Sequence, residues 1–198
     1  FVIVVGHGPS PLGRGWGKRV DAHEVVRMKD FGPDSWQRRN ARDYGSRIDY
    51  WCCSTEIMAS WFMPGVAREY WAQPKKHVWN PDNERMVRAK GIKPQIDLSL
   101  FQRWNFVYEC LTDKHRNYCL GLHAVIKVCE RGSVPVLMGM DNLLRPDLHY
   151  MKADNGSWKS NHDWVAENAM LPVIERNYGV RVHVMTDEGP KPWDSGTM

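Results

Sequence analysis

Phe1-Val2-Ile3-Val4-Val5-Gly6-His7-Gly8-Pro9-Ser10 opens the chain. Five apolar, mostly β-branched residues stopped by a glycine-rich turn predict a strand buried on both faces of a parallel sheet, because a strand with one wet face would alternate apolar and polar residues. Working outward, short strand-like runs recur at residues 25–28, 48–53, 77–79, 134–138 and 180–185, each bounded by turn formers. Helices are expected between them at 55–62, 83–90, 98–111, 120–131 and 162–178. In the fourth of these, Leu122, Val125, Ile126 and Cys129 recur at helical spacing, and Gly132 stands where a left-handed residue closes a helix. Gly179 closes the last helix in the same way, and Pro172 inside it predicts a kink or a break. Strands alternating with helices define an α/β domain with a mostly parallel sheet. Residues 32–46, 64–76 and 145–161 read as loops. The expected division is one domain over residues 1–186 and a Gly/Pro-rich tail over 187–198.

A chain of 198 residues with 42% hydrophobic and 25% charged content is of the size and composition of one folded domain. No apolar run reaches the roughly 18 residues of a membrane span. The net charge of +4 is mild and its basic residues are scattered, so charge alone does not argue for a nucleic-acid binder. Cys52, Cys53, Cys110, Cys119 and Cys129 are odd in number and lack CxxC spacing, which suggests neither a zinc site nor a disulfide framework. They are expected to be reduced and buried, in a cytoplasmic protein that starts without a signal peptide. Ten tryptophans exceed what the core of such a chain needs, and Trp36, Trp71 and Trp158 fall in loop-like stretches. Some of the rings are therefore expected to face a ligand.

Ligands of open parallel sheets bind beyond the carboxyl ends of the strands, where a glycine turn lets backbone N–H groups approach a phosphate. Gly6, His7, Gly8 and Ser10 occupy that place. A dinucleotide fingerprint would need glycine where Pro11 stands, so a nucleotide or nucleotide sugar fits better than NAD. The alternative is a tight strand-to-loop turn without a ligand.

The turn is followed by Gly15-Trp16-Gly17-Lys18, by residues 20–28 reading VDAHEVVRM, and by Asp43-Tyr44-Gly45-Ser46-Arg47. In order and spacing these resemble the long sialylmotif of the animal-type sialyltransferases (glycosyltransferase family 29), which runs VGNSG, G-x-x-ID-S-H-D, V-x-RMN and D-V-G-(S/T)-(K/R). The GHGPS turn is also similar to the GNGPS of the bacterial sialyltransferases (family 42). Residues 118–141 resemble the short sialylmotif, with Tyr118-Cys119-Leu120-Gly121 at its P-S-T-G turn. His149-Tyr150 resembles the start of H-Y-Y-E, and residues 162–167, HDWVAE, fit H-x4-E. The resemblance spans residues 2–185, though 55–115 match only in layout.

The resemblance implies a single Rossmann-like domain, a variant of the GT-A fold, and an inverting, metal-independent glycosyltransferase that uses a CMP-sugar donor, with no cofactor. His162 would be the general base, a role suited to a side chain whose ordinary pKa is near neutrality. His149 would contact the donor phosphate and assist its departure, replacing a metal. Gly6, His7, Gly8, Ser10, Lys29 and Gly121 would bind the nucleotide, Trp158 and Tyr150 the acceptor, and Glu167 would be structural or orient its neighbours. Trp16 and Trp164 would also lie near the ligands. Departures from the pattern are His7 and Lys29 at or near asparagine positions, Tyr118-Cys119-Leu120 without the family's hydroxyls, and Lys152 near the acidic residue of H-Y-Y-E. Sialic acid is thus a family default. The expected source is bacterial or phage. The partners are a nucleotide-sugar donor and a glycan or other hydroxyl acceptor, with nucleic acid not required. The rivals are a small nucleotide-binding oxidoreductase, a non-catalytic nucleotide- or glycan-binding module of the same fold, and a glycosyltransferase acting on modified nucleic-acid bases.

Overall fold

A computed structural model describes residues 1–29, 35–54, 63–74, 81–113, 117–144 and 163–194. The expected helix at 55–62 and strand at 77–79 lie outside the described residues. The central feature is an eight-stranded sheet. In chain order its strands are β1 (Val2–Val5), β2 (Glu24–Met28), β3 (Tyr50–Ser54), β4 (Glu69–Gln73), β5 (Pro94–Ile96), β6 (Pro135–Met138), β7 (His183–Thr186) and β8 (Gly189–Pro192). Across the sheet they run β5-β4-β3-β2-β1-β6-β7-β8. Every pair is parallel except β7 with β8. β1 pairs on one side with β2, Val2 opposite Glu24, and on the other with β6, Val2 opposite Pro135. The order reverses between β1 and β6, and that is where such a sheet leaves a crevice at its carboxyl edge.

The helices are α1 (Gly17–Asp21), α2 (Trp36–Arg39), α3 (Ala41–Tyr44), α4 (Pro81–Ala89), α5 (Leu98–Glu109), α6 (Leu120–Glu130), α7 (Asp141–Leu144) and α8 (Trp164–Tyr178). Strand side chains point alternately to the two faces, and the core divides accordingly. Val2, Val4, Val26, Met28, Cys52 and Leu137 meet α5, α6 and α8 on one face. Ile3, Val5, Val25, Val136 and Met138 meet α1 and α3 on the other, and Trp51, Cys53 and Ala72 pack with Val87 of α4. All four β1 residues are buried, as the opening run of apolar residues requires. The α/β class and the mostly parallel sheet of a single Rossmann-like domain are present.

Several expectations are corrected. The 64–76 loop contains β4, and the 32–46 loop contains α2 and α3. The Gly/Pro-rich tail is not a tail at its start: Gly189–Pro192 forms an antiparallel edge strand, with Met185 opposite Pro190. Prolines are tolerated at an edge because no further strand needs their missing N–H. The turn of this hairpin is fastened to the loop after β1, since Asp187 accepts from Arg14 Nη1 at 2.7 Å and Trp16 Nε1 at 3.1 Å. Arg19 also donates to the Thr186 carbonyl at 3.0 Å. Pro172 does not break α8, which is unbroken from Trp164 to Tyr178. It lies on the exposed side of the helix, where its ring meets no packed neighbour of the core. Gly132 and Gly179 do adopt left-handed angles, φ 69° and 65°. Cys110 is exposed, whereas the other four cysteines are buried, and all five are free thiols.

The tryptophans are corrected as well. Trp71 is fully buried on β4 and stacks on Tyr50 with ring centroids 4.5 Å apart. Trp16 is buried in the α1 face of the core, Trp36 packs on Tyr44, and Trp164 packs against the α6 face. Every tryptophan among the described residues belongs to a core or packs against one.

His123 on α6 is buried, with Nδ1 3.1 Å from the Tyr118 hydroxyl. Burial, helped by the nearby Lys127 charge, pushes its pKa down to about 3. The unfolded chain takes up this proton near pH 6.5, and the folded chain refuses it until about pH 3. Stability should therefore fall as pH drops through that window, by up to about 1.4 kcal/mol per unit. Between pH 6.5 and 5.5 the carboxylates, whose ordinary values are 4.5 and 3.8, contribute little, so urea unfolding of a His123→Phe variant should show a flattened slope there. An unchanged slope would assign the acid sensitivity elsewhere.

Candidate functional site

The carboxyl ends of β1 and β6 each run into a glycine turn, and the two turns interlock. The Gly6 N–H donates to the Met138 carbonyl and the Gly8 N–H to the Gly139 carbonyl, both at 2.7 Å. A Cβ on Gly6 would lie 2.2 Å from the Gly139 oxygen, and one on Gly8 would lie 2.0 Å from Asp141 Oδ2. Only glycine permits that approach. Asp141, buried at the start of α7, accepts the Ser10 N–H through Oδ2 at 3.0 Å. The amides of Gly6, Gly8 and Ser10 are thus committed to the chain itself, which corrects the expectation that they are the groups approaching a phosphate.

The turn is also held from below. Tyr44 of α3 donates its hydroxyl to the Gly8 carbonyl at 2.5 Å, and Gln37 of α2 donates Nε2 to the Gly6 carbonyl at 2.8 Å. Burial raises the Tyr44 pKa, with the Asp141 and Asp43 charges adding to it, so the phenol stays a donor. Gln37 Oε1 in turn accepts from Arg27 Nη1 at 3.3 Å. Arg27 on β2 is fully buried, and its Nη2 and Nε donate to the carbonyls of Tyr44 at 2.8 Å and Arg47 at 3.0 Å. Burial pushes its pKa down to about 9, so it is charged at neutral pH. Asp43 accepts the amides of Gly13 at 2.9 Å and Gly15 at 2.7 Å, bonds that hold its carboxyl below the usual range. The Asp43-to-Arg47 segment is therefore a clamp for the first turn and for the loop that follows it.

On the β2 side of the turn, His7 is exposed and its Nε2 lies 3.0 Å from the Met28 carbonyl. Lys29 follows Met28 with φ 51°, the one non-glycine with a positive φ among the described residues. A lysine in this region is strained unless its surroundings hold it there. Here the Lys29 N–H donates to the Cys52 carbonyl at 3.0 Å, and its carbonyl accepts Trp51 Nε1 at 2.7 Å. The side chain is left exposed at the strand end.

On the other face, Gly121 lies in the first turn of α6. A Cβ there would meet Met140 Cε at 2.2 Å, and Met140 Sδ is also 2.8 Å from the Cβ position of Gly6. The Met140 thioether thus sits between the first turn and the start of α6. Cys119 caps that helix through its sulfur, which accepts the Leu122 N–H at 3.4 Å. Burial, then the charge of Glu167 and its hydrogen bond, push the Cys119 thiol well up, so it is a neutral donor to that carboxylate. The position that resembles a family serine is turned inward. Glu167 is fully buried on α8, in keeping with a structural role. Asp163 caps α8, accepting from Ala166 N at 3.2 Å and from Thr112 Oγ1 at 2.7 Å.

Gly6, Gly8, Ser10 and Gly121 thus converge around Gly139, Met140 and Asp141, with the His7 side chain turned to the end of β2, where Lys29 lies. Trp16 lies apart, in the core beneath the loop. His149, Tyr150, Trp158 and His162 lie outside the described residues. Asp141 and Tyr44 were not singled out by the sequence as site residues. A carboxylate two residues beyond a strand-ending glycine was the only signal of the former. Among the described residues no three His, Cys, Asp or Glu side chains form a group that could hold a metal ion, and no helix is long and apolar enough to cross a membrane.

The fold is sialyltransferase-like. A solved structure of a mammalian sialyltransferase matches over 91% of this chain and 67% of that one, with a TM-score of 0.55 and 16% sequence identity. No family model matches the sequence, and no curated protein does.

Proposed function

We propose that the protein is a sialyltransferase-like, CMP-sugar-dependent glycosyltransferase, inverting and independent of metal, that moves a sugar to an acceptor hydroxyl. The observation that carries this reading is the reversal of strand order between β1 and β6 at the carboxyl edge of the sheet. Four of the proposed nucleotide-binding residues, Gly6, Gly8, Ser10 and Gly121, border it, His7 and Lys29 flank it, and the fold matches a sialyltransferase over most of its length. In this reading His162 takes the acceptor proton, His149 meets the donor phosphate, and Trp158 and Tyr150 contact the acceptor. A family 29-like origin of the motifs, with a first turn like that of family 42, is part of the proposal.

Thermal denaturation with CMP, UDP, GDP and NAD tests it. A nucleotide at 100 times its dissociation constant stabilises by about 2.7 kcal/mol, which for a domain of this size raises Tm by about 5–10 °C. The expected result is a shift selective for CMP. A shift with NAD alone would overturn the proposal in favour of an oxidoreductase.

A further inference from the structure

Lys29 and Asp141, which follow the two strands on either side of β1, carry opposite charge. At the β6 side, the Asp141 carboxylate is buried against Gly8 and takes the Ser10 N–H, and the Gly6 and Gly8 amides are bonded to carbonyls. An anion laid on this turn would find those three donors used and a carboxylate beside it. At the β2 side, Lys29 is fixed in a left-handed conformation by bonds to Cys52 and Trp51, and its side chain is exposed. We propose that Asp141 is a specificity-determining residue: it makes the Gly6-to-Ser10 turn a subsite for the uncharged, hydroxyl-bearing nucleoside of the donor and sends the phosphate to the Lys29 side.

This rests on the reading of the β1–β6 reversal as a nucleotide site. A carboxylate accepts up to about four hydrogen bonds and donates none. Among the described residues Asp141 makes one hydrogen bond, from Ser10, and the vicinal hydroxyls of a ribose are donors of the kind its oxygens accept. Phosphate offers only acceptors and negative charge, so the same carboxylate repels it. Strand ends of this type ordinarily meet a phosphate with backbone amides. Here the interlock of β1 with β6 has consumed those amides, and the charge that replaces them has the wrong sign for an anion.

Calorimetric titration of cytidine, CMP and inorganic phosphate into the wild type, Asp141→Asn and Lys29→Met separates the possibilities. Asparagine keeps an acceptor for Ser10 and nearly the same shape, and Asp141→Ser serves as a second neutral variant, each checked for an unchanged thermal transition. Removing a like charge a few ångströms from the ligand should raise affinity for CMP relative to cytidine by about 10-fold or more. Lys29→Met should weaken CMP by about 10-fold and leave cytidine unchanged. If CMP binds the wild type and its ratio to cytidine is the same in both Asp141 variants, this inference is overturned while the proposed function stands. If the wild type binds neither cytidine nor CMP, yet the neutral variants gain phosphate binding, the anion-excluding role stands and the proposed function falls. If no ligand binds any of the proteins, both fall.

Discussion

An Arg27→Ala protein is expected to unfold about 10 °C below the wild type, a loss of about 3–5 kcal/mol. Among the described residues the guanidinium donates to three groups, the carbonyls of Tyr44 and Arg47 and the Gln37 side chain, all beneath the α2–α3 layer. Truncation strands these acceptors. Each buried acceptor left without a donor costs about 1–3 kcal/mol, and water entering the space left by the side chain recovers part of it. Lysine keeps the charge but cannot reproduce a planar fork that reaches three acceptors, so Arg27→Lys should lose most of the same stability. Because Gln37 links Arg27 to the Gly6 carbonyl, the proposed function has CMP affinity fall along with stability. Differential scanning calorimetry of the two variants measures the effect. A loss under about 1 kcal/mol would show that the buried charge is dispensable.

Under the proposed function, replacement of His162 by alanine is expected to slow sugar transfer by about 10²–10⁴-fold, the usual contribution of a general base, with CMP binding retained. An imidazole with a near-neutral pKa is in its free-base form at working pH and can take the acceptor proton as the bond to the sugar forms. His162 immediately precedes Asp163, whose carboxylate caps the fifteen-residue α8 and is itself anchored by Thr112. The diagnostic reading is the pH profile of kcat/KM: the acid limb of the wild type should vanish in the variant. Normal turnover by His162→Ala would remove His162 from the mechanism.

The elements that the sequence disclosed are those whose burial is uniform. Residues 1–5 and 134–138 are continuous apolar runs because both faces of β1 and β6 are covered by helices, and 120–131 carries a full apolar stripe because α6 packs across the middle of the sheet. What stayed hidden had mixed demands. β4 begins with Glu69, paired to Arg131 at 2.8 Å, and ends with Gln73, bonded to the Tyr118 carbonyl, so its polar ends and flanking Pro64 and Pro74 read as a loop. β5 has three residues, and β8 reads Gly-Pro-Lys-Pro, a composition that only an edge position makes into a strand. In the site, the glycines were legible because close backbone approach leaves a trace in residue type. Asp141 was not, because its meaning arises only when the register of β1 on β6 brings residues 8 and 141 together. The tryptophan surplus has a related explanation: the polar ends of β4 make residues 64–76 read as a loop, and a Trp71 in a loop reads as exposed, whereas on β4 it is buried.

The place of β1 at the centre of the sheet has a consequence for biosynthesis. Its first neighbour, β2, follows within about 20 residues, but β6 is made only about 130 residues later. At about 5–20 residues per second, β1 waits roughly 7–26 s for its second neighbour, and the half-sheet of β1 to β5, which ends at Ile96, waits for about the last 2–8 s of that time. Throughout that interval the Val-Ile-Val-Val run presents an unpaired apolar edge, the kind of surface on which nascent chains associate with one another. Yield in the cell should thus depend on how quickly residues 135–138 leave the ribosome and on whether a chaperone covers β1 until they do.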